Sequence, residues 1–116
     1  MYSDIHISKM AAACRRHVAE IKEAERVFGA ASADAYRGHT EAWRQVTADC
    51  SRMKAAAGDT EGGLRDYFTD THQEIVDAAA KVFAASMSDA HHALEASLWE
   101  SSHRFAETCD KLLDGK

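Results

Sequence analysis

The stretch VFGAASADAY, residues 27–36, decides how this chain is read, because it joins two periodic segments across a single glycine. Before it, Ile7, Met10, Cys14, His17, Ile21, Ala24 and Phe28 recur at intervals of three and four, the spacing of one face of a packed helix. After it, Tyr36, His39, Trp43, Val46, Cys50, Met53 and Ala57 repeat the pattern. Gly29 between them is the residue type that most readily takes the left-handed conformation at a helix C-terminus, and Ser32 is a ready cap for a new helix. The spacing therefore predicts a first helix over residues 4–28, capped by Ser3 or Asp4, and a second from about residue 32 to Gly58. So short a loop forces the two into an antiparallel hairpin.

Outward from there, GDTEGG at residues 58–63 is the densest cluster of helix breakers and marks the boundary between the two halves. Beyond it Leu64, Phe68, Ile75, Ala79 and Val82 share one face, whereas Phe83, Met87, Ala90, Leu94, Leu98, Phe105 and Leu112 share another. At about 100° per residue the centre of the stripe moves by roughly a quarter turn between the two sets. SMSD at residues 86–89 offers Ser88 or Asp89 as an internal cap but contains neither Gly nor Pro. The expectation is an all-α antiparallel helical bundle in one domain over residues 1–116, with four helices of similar length or three with a long, bent third.

Composition agrees with that class. The 116 residues include no proline and six glycines in an alanine-rich background, so little interrupts helices and few segments favour strands. With 46% apolar and 28% charged residues the chain has the make-up of a folded domain, and no apolar run approaches the roughly 20 residues a membrane span needs. MYSDIHISKM at the start lacks the basic segment and apolar block of an export signal. Three cysteines, an odd number spread over positions 14, 50 and 109, do not form a disulfide framework. The expected setting is cytoplasmic, with reduced thiols and no membrane insertion.

The net charge of −5 is unevenly distributed: residues 1–58 carry nine basic and seven acidic side chains, residues 59–116 five and twelve. A nucleic-acid binder concentrates Lys and Arg on one face, because phosphate neutralisation supplies most of its affinity. Even the more basic half here is nearly neutral, so no nucleic-acid partner is expected. The asymmetry favours the halves packing on each other, or the acidic half receiving a basic partner.

Glu100 and His103 have the Glu-x-x-His spacing of di-metal bundles, but such a site needs two inward pairs and further carboxylates, and this pair falls away from the stripe through Leu94, Leu98 and Phe105. Cys14 and His17 lie one turn apart on the predicted seam, and folding about residue 30 brings Cys50 within a turn of them, three of the four ligands zinc would want. Buried thiols more often pack as small hydrophobes, and no Asp or Asn stands where it would orient His17 for nucleophilic catalysis. No metal or other cofactor is expected. His17 and His39, both on seam positions, each require a hydrogen-bonding partner. His92, Trp99 and His103 recur at seven and four on the side away from the stripe, so Trp99 projects outward between two imidazoles unless another helix covers it. No phosphate loop, nucleophile elbow or paired-cysteine motif is present. The reading is a non-enzymatic helical interaction or assembly module, self-associating or binding a protein partner, with Trp99, His92 and His103 at the interface. The alternative is a helical bundle that holds a metal ion or small ligand between its helices.

Overall fold

The computed structural model of the chain describes residues 3–57 and 63–114. Two helices account for nearly all of them: α1, Asp4–Ala57, and α2, Gly63–Leu113. The all-α class stands, but neither four helices nor three are formed. α1 runs unbroken through Gly29, and α2 through Ser88 and Asp89. The breaker cluster at residues 58–62 lies outside the described residues, as do the side chains of Leu64 and Phe68.

The physical reason for continuity at Gly29 is local. A glycine inside a helix costs about 1 kcal/mol relative to alanine, which the flanking Phe28, Ala30 and Ala31 tolerate because Gly29 is exposed and strains nothing. A Cβ built there would meet nothing within 4 Å, and its backbone does not adopt the left-handed conformation of a helix stop. The same holds at Gly38. At SMSD, Ser88 and Asp89 simply face outward while Met87 and Ala90 stay on the buried side.

The apparent shift of the α2 stripe also has a specific origin. Ile75 and Val82, which suggested a different face, are 42% and 67% exposed, and Val76, Ala79 and Phe83 take the seam in their place. With those two residues off the stripe, the α2 seam passes through His72, Val76, Ala79 and Phe83 in one compact unit and through Ala90, Leu94, Leu98, Ser101, Phe105 and Leu112 in the other. On α1 likewise, Ile7, Cys14, Tyr36, Trp43 and Met53 are exposed, whereas Ala13, Ala24, Ala35 and Ala42 approach α2. Small residues allow close helix contact, and these alanines share the seam with Met10, Ile21, Phe28 and Val46, while other large apolar side chains stand beside it.

The helices divide into two compact units. One joins residues 1–30 to 89–116, the other comprises residues 31–88. Within the first, contacts descend antiparallel: the Cys109 thiol lies 3.5 Å from Met10 Sδ, His17 meets Ser101, and the Phe28 ring packs on His91 at 4.8 Å between centroids. Within the second, Tyr36 and His39 pack on Phe83 at 4.9 and 5.2 Å, and Trp43 meets His72 at 5.9 Å. The buried apolar residues are few: Ala13, Ala24, Val46, Ala90 and Leu112 among the described residues. No helix of the described residues is long and apolar enough to cross a membrane.

Candidate functional site

Exposed apolar and aromatic side chains, rather than a cluster of reactive groups, are the most conspicuous chemistry. In the first unit α1 presents Ile7 at 60% and Val18 at 48% exposure, with Cys14 exposed between them. At about 100° per residue these three project roughly a quarter turn from the seam formed by Met10, Ala13, His17 and Ala24, all to the same side. Glu20 and Arg104 bridge the helices along the opposite edge. In the second unit Tyr36 and Trp43 occupy the corresponding flank of α1.

Trp99 is 66% exposed and stacks on the His103 ring, centroids 5.0 Å apart and planes within 6° of parallel. His103 in turn places Nε2 3.2 Å from a carboxylate oxygen of Glu107, one turn further on. His92 is exposed on the same outer side of α2. Trp99 and His103 together form a solvent-facing aromatic plate. Glu100 is exposed, and His103 takes Glu107, not Glu100, as its carboxylate neighbour.

The expected meeting of Cys14, His17 and Cys50 does not occur. It required a chain reversal at residue 30, and because α1 continues to Ala57, Cys14 belongs to the first unit and Cys50 to the second. Cys14 is exposed, not buried. Among the described residues no group of three or more His, Cys, Asp or Glu side chains is placed to hold a metal ion. His17 instead shares a 2.8 Å hydrogen bond, through Nδ1, with the hydroxyl of Ser101, itself only 2% exposed, and stacks on Phe105 at 4.8 Å. Beside this pair, the Arg104 guanidinium holds the Glu20 carboxyl below its ordinary range, with a smaller contribution in the same direction from the Ser101 hydroxyl. These four groups form polar contacts between α1 and α2 in the first unit. His39 accepts a 3.1 Å hydrogen bond from the Trp43 indole through Nε2, so its partner lies on its own helix.

Sequence reasoning missed a second thiol–imidazole pair, in which Cys50 Sγ and His72 Nδ1 lie 3.5 Å apart. An open cavity of about 400 Å³ adjoins them, lined also by Val46, Met53, Thr71 and Ile75. His72 carries no local signal, since it becomes a neighbour of Cys50 only once α1 is known to continue past Gly29. Comparison with known protein families, curated proteins and solved structures finds no match to this chain.

Proposed function

We propose that the chain is a non-enzymatic helical assembly module, whose free helix faces are completed by a protein partner. The observation that supports this reading is the inversion of the apolar pattern. Alanines take many of the seam positions, while Ile7, Val18, Tyr36, Trp43 and Trp99 remain 42–66% exposed. Monomeric domains seldom leave so many large apolar side chains in water, and contiguous patches of that kind mark interaction surfaces. Two helices alone give each unit one seam; a partner's helices on the exposed flank would supply a second and make a bundle. The stacked Trp99 and His103, with His92 nearby, offer a further contact on the outer side of α2, since tryptophan is a frequent interface anchor. Protein, rather than nucleic acid, is the partner that an acidic chain with an apolar flank fits.

The test is the stability of the dilute chain. With only five described apolar residues buried, urea unfolding at submicromolar concentration gives a free energy below the roughly 5 kcal/mol at the lower edge for folded domains. A stability of about 5 kcal/mol or more under those conditions would show that the chain needs no partner to complete its core.

A second reading, a small ligand or metal held between the helices, draws on the Cys50–His72 pair and its cavity. Saturable zinc binding that disappears in Cys50→Ser would favour it over the first.

A further inference from the structure

We propose that the cavity beside Cys50 and His72 is a site for a soft monovalent metal ion, Cu(I), bound by Cys50 Sγ, His72 Nδ1 and the thioether sulfur of Met53. The inference rests on the second reading above, a metal held between the helices, and adds the ion and its third ligand. All three residues belong to the second unit and line one open cavity of about 400 Å³.

The spacing of the first two donors is the first support. Thiolate and imidazole bind zinc at about 2.3 and about 2.0 Å, and Cu(I) is an ion of similar size. At these bond lengths, donors 3.5 Å apart subtend an angle of about 110° at the metal, close to that of a tetrahedral or trigonal centre. An ion therefore fits between the two side chains where they stand. Binding replaces the Cys50 thiol proton, which passes to solvent as the sulfur–copper bond forms. The His72 ring also packs edge to face on Trp43, centroids 5.9 Å apart, a contact that orients the imidazole.

The remaining donors select the ion. Zinc draws its ligands from Cys, His, Asp and Glu, and among the described residues no third side chain of these types joins the pair. Asp49, the acid on the cavity wall, is ion-paired with Arg52. Met53 lies on the same wall, one turn beyond Cys50 on α1 and 41% exposed. Its flexible, unbranched side chain can carry the sulfur toward the pair, and a thioether beside a thiolate favours Cu(I). Charge acts in the same direction. One thiolate neutralises Cu(I), so a neutral group lies against Val46 and Ile75, whereas zinc would leave a positive charge on that apolar wall.

Anaerobic titration of the reduced chain with Cu(I), supplied as its acetonitrile complex in competition with the chromogenic chelator bicinchoninate, tests the inference. The wild type is expected to hold a single tight equivalent, with thiolate-to-copper absorption in the ultraviolet. Cys50→Ser and His72→Ala each weaken it roughly a hundredfold or more, and Met53→Leu, which keeps the side-chain volume, roughly tenfold. Met53→Leu leaves zinc affinity unchanged, a difference that lost folding would not produce, and circular dichroism checks that each variant stays helical. Cys14→Ser and Cys109→Ser, which remove the exposed thiol and the one beside Met10, leave the tight equivalent in place. Tight Cu(I) binding that survives Cys50→Ser, or that Met53→Leu does not weaken, would overturn the inference. A wild type that takes up zinc but no Cu(I) would overturn it while still favouring a metal between the helices, and a chain that binds neither ion would end both.

Discussion

Replacing Gly29 by alanine separates the continuous α1 from a helix that ends there, because the two backbones give the substitution opposite signs. In α1 the residue sits in an exposed helix interior, where a new methyl group would meet nothing within 4 Å and the backbone is not left-handed. Alanine then removes the excess chain entropy of glycine and stabilises the fold by about 0.5–1 kcal/mol. For a chain of this length that raises the melting temperature by about 2–4 °C. Had Gly29 been the left-handed residue that ends a helix, alanine would cost about 1–2 kcal/mol through the clash of its Cβ with the following carbonyl. Urea unfolding followed at 222 nm, at one fixed protein concentration, measures the difference, and the slope against denaturant should not change. Gly38→Ala should behave alike, and the two gains should add. A destabilised Gly29→Ala chain with full helical content would refute an unbroken α1.

Val46→Ala, at a site only 3% exposed, should cost about 1–2.5 kcal/mol, whereas Val82→Ala, at 67% exposure, should cost less than about 0.5 kcal/mol; parallel urea curves compare them directly. Ser101→Ala leaves His17 Nδ1 without its hydroxyl partner and should lose about 1–3 kcal/mol, with a double-mutant cycle against His17→Ala showing coupling between the two. The Glu20 carboxyl is held below its ordinary value of 4.5 chiefly by Arg104, so its contribution is fully present above about pH 4.5 and is lost as pH falls through its lower folded value. In Arg104→Ala the Glu20 titration, followed by carboxyl carbon NMR, should move upward. Trp99→Ala should change the stability of the isolated chain by less than about 0.5 kcal/mol, since the ring is 66% exposed; a loss of about 3–5 kcal/mol would instead identify it as a core residue.

The helical class was legible from the absence of proline and from the three-and-four spacing, both of which act locally. The number of helices was not. Gly29 and SMSD carry the residues that end helices, but whether a helix stops at an exposed glycine depends on what its next turn can pack against, and Ala35, His39 and Ala42 gain an α2 segment only if the chain goes on. The α1 seam was legible in good part: Met10, His17, Ile21, Ala24, Phe28, His39, Val46 and Cys50 lie on it, whereas Ile7, Cys14, Tyr36, Trp43 and Met53 stand beside it and Ala13, Ala35 and Ala42 share it, because close helix approach favours small side chains. The outward direction of Trp99, His103 and Glu100 could be read from the wheel alone, because it depends only on angles within one helix. The partners of His17 and Cys50 could not. Ser101 and His72 lie 84 and 22 residues away, and nothing short of the hairpin register brings them together.

Completion of the exposed α1 flank by association with a further chain is tested most directly by the dependence of the melting temperature on chain concentration. Mass action requires that a fold completed by association gain stability as concentration rises. Between about 1 and about 200 µM the melting temperature of the wild type should climb by several degrees, and in Val18→Asp it should stay flat at the lower value. A wild-type melting temperature that is high and the same across that range would contradict the claim.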